Sequence, residues 1–307
     1  MEVLLVGGLG FIGKYIIRLL AESSSLTVLS DAETVMKNQA FVKNYSLRVE
    51  VGDIQDGDRV KEVMIREKPD AVIHLAALTG LARCDKNPSL AFSINVFGTY
   101  NVIMGCVASK SKLVFISSRE VYGETASDRT REEDPQVPNN LYGLTKLLGE
   151  RLVLWAASRY GLDYTILRLT NVYGPGGDQY NIQVMLQKAL KEGRIPILGG
   201  RQRANLICVE DVADVIAKCL VEPKASRQTF NVGSRDDMTV EEIVTRLVSS
   251  LDIPVKIDRE AMRMGETMNF RPSLERIERI LGWSARTTFA EGMRKTVEWY
   301  RDRVRDS

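Results

Sequence analysis

Short runs of apolar and β-branched residues recur six times in the first 170 positions, at 2–6, 26–30, 47–51, 71–76, 112–117 and 164–169. Between them lie longer stretches whose apolar residues return every three to four positions, at 11–22, 60–67, 88–108 and 141–160, the spacing of one helical face. Strands separated by helix-length connections do not form hairpins. They predict an α/β fold, a doubly wound parallel sheet with helices on both faces and right-handed crossovers. After about Asn171 the alternation stops at the turn-forming run Tyr173-Gly174-Pro175-Gly176-Gly177, which no helix or strand interior accommodates. A helix at 182–191, a Gly199-Gly200 turn, a strand at 206–209, a capping-box spacing at Thr239-Val240-Glu241-Glu242 and a final helix at 289–303 follow. The expected organisation is a main domain over 1–170, rejoined by a segment near 204–222, and a smaller α/β lobe over 171–307.

The 307 residues suffice for that two-lobed plan. The 42 basic and 40 acidic side chains leave a formal charge of +2, which supplies no electrostatic reason for a nucleic acid or an anionic membrane as partner. His74 is the only histidine, so metal sites that need two imidazoles are excluded and no metal is expected. The same count argues that imidazole does not carry the chemistry. Cys84, Cys106, Cys208 and Cys219 form no CxxC pair and are expected as buried thiols of a reducing compartment. Met1-Glu2-Val3-Leu4-Leu5-Val6 enters a strand directly rather than a signal peptide, and no uncharged apolar stretch approaching ~18 residues is expected. The expected location is the cytoplasm, with no membrane span.

Gly7-Gly8-Leu9-Gly10-Phe11-Ile12-Gly13 joins the first strand to the first helix. In that context the spaced glycines form the turn of a Rossmann-type dinucleotide site. Gly7 allows the tight turn, Gly10 lets the backbone approach a pyrophosphate, and Gly13 lets helix and sheet pack closely. The helix N-terminus adds unbonded N–H groups and a partial positive charge. Asp31, at the end of the second strand, is placed to accept both hydroxyls of an adenosine ribose and to repel a 2′-phosphate, which favours NAD over NADP. A solvated loop aspartate is the alternative reading of that position. Asp53 and Ile54 follow the third strand and are candidates to hold the adenine.

Tyr142 and Lys146 stand one helical turn apart on the same face. A phenol titrates near pH ~10, and lowering that by ~3 units takes about 4 kcal/mol, which a nearby ammonium and a positive nicotinamide ring can supply in a partly dry cleft. The strand at 112–117 ends in Ser117-Ser118. Strand C-termini in such a sheet face the ligand crevice, where Ser118 can hold a substrate hydroxyl or carbonyl beside Tyr142.

Several motifs fall in a fixed order: Gly7-x-x-Gly10-Phe11-Ile12-Gly13, His74-Leu75-Ala76-Ala77, Asn95-Val96-x-Gly98-Thr99, and Ser117-Ser118 through Val121-Tyr122-Gly123. Tyr142-x-x-x-Lys146, Asn171-Val172-Tyr173-Gly174-Pro175, Leu281-Gly282-Trp283 and Val297-x-Trp299-Tyr300 complete the set. Over essentially the whole chain this order resembles the extended short-chain dehydrogenase/reductases, in particular the nucleotide-sugar epimerases and dehydratases. The resemblance implies NAD as cofactor and Ser118, Tyr142 and Lys146 as catalytic residues, with Lys146 also on the nicotinamide ribose. It implies cofactor contacts from Phe11, Ile12, Leu75, Ala76 and Ala77 beside the glycines, with Asn95 buttressing the site. Thr79, Asn171, the 200–203 loop and Arg271 would lie near a nucleotide-sugar substrate. The helices at 88–108 and 141–160 would pair across a homodimer. His74 ends a strand where the family commonly carries histidine without catalytic duty.

The activity so implied is a NAD-dependent nucleotide-sugar 4-epimerase acting on a UDP-hexose through a transient 4-keto sugar. The rivals are 4,6-dehydration or decarboxylation through Glu120, and NAD binding without catalysis. Dehydratases resembling this stretch carry an acidic pair after the serine or threonine, to protonate the C6 hydroxyl and remove the C5 proton. Here Glu120 matches the second member while Arg119 replaces the first, and a guanidinium cannot serve as that acid. A plain ion pair between Glu120 and Arg119 is the structural alternative. The family's Arg-Asp-Phe stretch reads Arg203-Ala204-Asn205-Leu206 here. Arg203 from a shifted loop, Arg201 or Arg271 is therefore left to grip the diphosphate with its planar fork.

Overall fold

The computed structural model describes residues 1–177, 181–262 and 264–305. Among them twelve strands follow in chain order: β1 Glu2–Val6, β2 Ser25–Ser30, β3 Arg48–Val51, β4 Ala71–His74, β5 Lys112–Ser118, β6 Tyr164–Leu169, β7 Asn171–Tyr173, β8 Arg194–Leu198, β9 Arg203–Cys208, β10 Gln228–Val232, β11 Asp237–Thr239 and β12 Lys256–Glu260. Seven form one parallel sheet in the order β3-β2-β1-β4-β5-β6-β10. The chain winds outward from β1 on one side and from β4 on the other, the doubly wound α/β plan expected from the alternation.

Burial on both faces explains the unbroken apolar runs. Val3, Leu5, Val28 and Ile73 pack on one face against Ile16 and Ile17 of helix Phe11–Leu20 and Val212 and Ile216 of helix Val209–Val221. On the other face Leu4, Val6, Val72 and Phe115 meet Val60 and Met64 of helix Gly57–Glu67, Val102 and Ile103 of helix Thr99–Ser109, and Val153 of helix Leu141–Tyr160. The second lobe holds the small sheets β11-β9-β7 and β12-β8. Its core joins Tyr173, Leu186, Ile195, Val244, Leu247 and Met293. The capping box forms there, with Glu242 N–H on Thr239 Oγ1 (3.2 Å) and Thr239 N–H on Glu242 Oε2 (2.7 Å).

Some elements differ from expectation for identifiable reasons. The strand expected over 71–76 stops at His74, because the N–H groups of Leu75 and Ala76 both turn to the Val6 carbonyl (2.9 and 3.0 Å). The helix expected over 88–108 is three pieces, Pro88–Phe92, a π-helical turn Ser93–Gly98 and Thr99–Ser109. Wide turns of this kind concentrate where a side chain has a bonding task, and here Asn95 reaches Leu78 and Thr145. The same segment corrects the reading of uncharged stretches. Pro88–Ser109 runs 22 residues and is long and apolar enough, by length and composition, to cross a membrane. In the fold its Val102, Ile103 and Cys106 belong to the core under the sheet. Of the 204–222 segment, helix Val209–Val221 packs on the main sheet while β9 lies in the small sheet β11-β9-β7, and β10 joins the main sheet beside β6.

Phe230 is fully buried on β10. Phe230→Ala should cost about 3–5 kcal/mol, seen as a lower urea midpoint at unchanged slope. A loss under about 1 kcal/mol would show that β10 is not an integral strand of the main sheet.

Candidate active site

The carboxyl ends of β1, β4 and β5 lie side by side, Val6 level with His74 and His74 level with Phe115. The crevice of such a sheet opens where the winding reverses, here between β1 and β4. Gly7 has φ +79°, donates to the Leu29 carbonyl at 2.9 Å, and lies so near the next loop that a methyl group on it would fall 2.7 Å from the Ala76 nitrogen. A methyl group on Gly13 would fall 2.2 Å from the Gly8 carbonyl oxygen, so only glycine lets helix Phe11–Leu20 start this close to the strand. Gly10 begins that helix with no side-chain cap, and no acidic residue stands in the first turn. Bare backbone, a helix N-terminus and no carboxylate fit the pyrophosphate of a dinucleotide.

The side chains of Phe11 and Ile12 face protein: Ile12 enters the core and the Phe11 ring packs on the 174–177 turn. Asp31 is exposed after β2, and its Oδ1 accepts the Thr34 N–H at 2.8 Å, capping helix Ala32–Lys37. Partial burial raises its carboxyl, but hydrogen bonds from Thr34 and the adjoining backbone outweigh this and hold it below the usual aspartate value. Asp53 is exposed and gives both oxygens to Gln55, at 2.9 Å each. Ile54 is buried, its carbonyl accepting from Asn101 at 2.9 Å. Leu75, Ala76, Ala77 and Thr79 are half-buried along the loop after β4. Asn95 holds that loop from beneath, accepting the Leu78 N–H (2.7 Å) and donating to the Leu78 carbonyl (3.0 Å) and Thr145 Oγ1 (3.0 Å). All three of these bonds go to protein.

Ser118 closes β5, and its Oγ accepts the Glu120 N–H at 3.2 Å. A methyl group on Gly143 would sit 2.2 Å from the Glu120 carbonyl oxygen. The turn carrying Ser118 and the helix carrying Tyr142 are thus in backbone contact. Tyr142 is half-buried and packs beside Leu78. Lys146 is buried, its Nζ 4.4 Å from the centre of the Phe115 ring. Burial pulls its amine down to about 8 against the opposing Glu150 carboxylate, so it is mostly protonated at neutral pH. His74 bonds Thr99 Oγ1 through Nε2 at 2.9 Å, and burial followed by the Lys146 charge pulls its imidazole down to about 3. It is a neutral structural group.

Both oxygens of buried Glu120 are engaged, Oε1 with Arg119 Nη2 and Oε2 with Asn140 Nδ2, each at 2.8 Å. Arg119 also lies over the Phe270 ring at 5.4 Å. Among the residues expected near substrate, Asn171 opens β7 opposite Leu206, and Arg203 opens β9 with its N–H on the Met268 carbonyl (2.9 Å). Arg271 Nη1 pairs with exposed Asp128 at 2.8 Å while its Nε is buried without a partner. Arg201 is exposed. So Arg203 and Arg271 flank one segment, 268–271, from opposite ends.

Sequence reasoning missed Asn140, whose Oδ1 caps helix Leu141–Tyr160 by accepting the Gly143 N–H at 2.8 Å. An asparagine just before a helix was the available signal. It also missed the buried pair Glu150–Arg168 (2.7 Å). An arginine inside an apolar strand should have prompted a search for its partner.

The glycine cradle, the reversed winding and the Tyr-Lys helix define an NAD-binding α/β enzyme class. Residues 3–233 match the model of the NAD dependent epimerase/dehydratase family, and the chain belongs to that family. It is similar to the UDP-glucose 4-epimerase of Mycolicibacterium smegmatis, 29% identical over 313 residues that cover 99% of each chain. It is equally similar to dTDP-glucose 4,6-dehydratase 1 of Escherichia coli, 29% identical over 335 residues, covering 98% of this chain and 92% of the relative. The crystal structure of DesIV (dTDP-glucose 4,6-dehydratase) from Streptomyces venezuelae with NAD bound shares the fold at TM-score 0.89 and 28% identity, covering 98% of this chain and 97% of that one.

His74 moves from 6.5 in the unfolded chain to about 3 when buried. Between those values the unfolded chain binds the proton that the folded chain refuses, so stability falls as pH drops through the window. The loss reaches on the order of 4 kcal/mol. Urea midpoints from pH 7 down to pH 4 should fall less steeply for His74→Gln than for the wild type. Parallel curves would assign the acid sensitivity elsewhere.

Proposed function

We propose that the protein is a NAD-dependent nucleotide-sugar 4-epimerase with a UDP-hexose as substrate. The observation that carries this reading is the engagement of Glu120 by Arg119 and Asn140. Losing water across C5 and C6 needs an acid at the C6 hydroxyl and a base at C5. Arg119 cannot be the acid, and the one carboxylate beside Ser118 has both oxygens bonded. A 4-keto hexose formed here then lacks the groups for elimination, which leaves hydride return, to the original face or to the other.

In this reading Tyr142 takes the C4 hydroxyl proton and returns it, while Ser118 holds the same oxygen. The charged Lys146, one turn along, favours the phenolate and grips the nicotinamide ribose. Bound NAD supplies the chemistry of hydride removal from C4 and its return. Gly7, Gly10 and Gly13 present the backbone to the pyrophosphate, Asp31 lies on the adenosine side, and Arg203 or Arg271 faces the substrate diphosphate.

A second reading, dehydration or decarboxylation, is favoured by the burial of Glu120 two residues after Ser118 and by the dehydratases that match as well as the epimerases do. Products from UDP-glucose, UDP-galactose, their N-acetyl forms and UDP-glucuronate decide between them by mass and proton NMR. Inversion at C4 without change of mass is expected. Tyr142→Phe should lose roughly 100-fold or more in turnover, and Glu120→Gln should stay within a few-fold. Loss of water or carbon dioxide, abolished by Glu120→Gln, would establish the second reading instead.

A second copy of the chain is the partner we assign to the outer face of the two long helices. Phe97, Trp155 and Tyr160 are 66%, 44% and 47% exposed there, with Tyr100 and Trp155 ring centres 6.5 Å apart. Aromatic side chains grouped in this way mark contact surfaces. Sedimentation velocity should show a dimer that Phe97→Asp converts to monomer. A monomer at every concentration would refute the assignment.

A further inference from the structure

The turn that opens the second lobe, Tyr173-Gly174-Pro175-Gly176-Gly177, is tied to the first helix of the main domain by a bond that spans 160 positions of sequence. Tyr15 stands one turn after Phe11 on helix Phe11–Leu20, and its hydroxyl donates to the Pro175 carbonyl at 2.9 Å. The Phe11 and Tyr15 rings meet edge to face, with centres 5.9 Å apart and planes at 85°. Arg18 lies over the Tyr15 ring at 5.0 Å, so the phenol is braced between two neighbours on its own helix. Burial pushes the Tyr15 hydroxyl up to about 12, and at neutral pH it keeps the proton that it donates.

The turn itself rests on the Phe11 ring. A methyl group on Gly177 would fall 2.9 Å from that ring, so only a bare backbone comes down this far. From the second lobe Gln183 Nε2 holds the Gly174 carbonyl at 3.0 Å, and Trp299 backs Gly176. Phe11 is also the first residue of the helix whose N-terminus, with Gly7, Gly10 and Gly13, makes the pyrophosphate cradle. The turn therefore borders the cradle, and Tyr15 is the hydrogen bond that keeps it there from the side of the main domain. The bond brings no group of its own to the cofactor. Losing one hydrogen bond of this kind shifts an opening equilibrium by roughly three- to tenfold.

We propose that Tyr15 is a positioning residue that latches the 173–177 turn shut beside the dinucleotide cradle, and that the opening of this turn sets how fast NAD enters and leaves. The proposal rests on the glycine cradle as the NAD site and is independent of the product formed. Because Tyr15 touches the turn and not the cofactor, it holds the closed turn equally in the free and the loaded protein. Weakening the latch then lowers a barrier shared by entry and exit, and the affinity hardly moves. A residue that gripped the cofactor directly would speed exit alone and weaken binding.

The test uses the fluorescence of NADH as the probe. Stopped-flow binding at a series of NADH concentrations gives the entry rate, and mixing NADH-loaded protein with excess NAD gives the exit rate. Tyr15→Phe deletes only the hydroxyl and should speed both by roughly three- to tenfold, with the NADH affinity within about twofold. Tyr15→Leu also removes the ring that Phe11 and Arg18 brace, and should be faster still. Unchanged rates in folded Tyr15→Phe would overturn the proposal. So would a faster exit with weakened affinity and unchanged entry, which would put Tyr15 on the cofactor itself. Rates that rise together in a protein with no nucleotide-sugar turnover would uphold the latch while refuting the function proposed above.

Discussion

An arginine and a glutamate with almost no access to water join most of the pieces that matter here. Arg168 lies on β6 and Glu150 on the helix that covers it, and Ser117 of β5 closes the same carboxylate. Through Tyr122 and Asn231 the bonds continue to β10, and Asn231 itself is held by the Thr130 carbonyl and Glu132 Oε1. Such a network is favourable only when nearly every donor and acceptor is met. Its members are directional, so it also dictates register. A slip of β6 by one residue would carry Arg168 to the opposite face of the sheet, away from Glu150. The position of Ser118, one residue beyond Ser117, depends on that register being kept.

The two ends of the crevice are built by opposite means. At the cofactor end the decisive feature is missing side chains: Gly7 and Gly13 approach Ala76 and Gly8 at distances no Cβ would tolerate. At the other end it is side chains whose freedom has been removed. Asn95 spends its whole amide on Leu78 and Thr145, Glu120 is tied on both oxygens, and Asn140 is at once helix cap and partner of Glu120. Packing the turn after Ser118 against Gly143 makes this possible. Rigid first contacts of this kind keep reacting groups within the narrow geometry that proton transfer requires.

What the sequence disclosed follows from how local each cause is. β1, β2, β4, β5 and β6 were legible because strands buried on both faces must be largely apolar, whereas β3, Arg48-Val49-Glu50-Val51, is an edge strand only partly buried. The glycine turn was legible because its sterics involve residues next to one another. β10 was not: in Gln228-Thr229-Phe230-Asn231-Val232, polar residues interrupt the run, and Asn231 is polar because Tyr122 and Thr130 need it. The π-turn at Ser93–Gly98 answers to partners 17 and 50 residues from Asn95, beyond any local window. Arg168 was visible as an anomaly in an apolar strand, but which carboxylate meets it is a tertiary fact. The sugar side was least legible, since its loops lie at 124–130, 200–203 and 265–272 and meet only in the fold. There Glu124 accepts the N–H groups of Met268 and Asn269 at 2.7 and 2.9 Å.

Within the proposed reading, Arg119 matters less for what it does to substrate than for what it forbids. Oxidation at C4 acidifies the C5 proton in any enzyme that forms the 4-keto sugar, so suppressing elimination is as necessary to an epimerase as promoting hydride return. A guanidinium at this position removes the acid needed at C6. It also occupies the glutamate needed at C5, in surroundings where charge-assisted bonds are stronger than in water. Asn140 makes the restraint mutual. Freeing Glu120 Oε2 would break a bond to the residue that caps the Tyr142 helix. The side chain that restrains this carboxylate is thus also the one that caps the helix of the proposed base, so selectivity between the two outcomes and the placement of that base draw on the same residue.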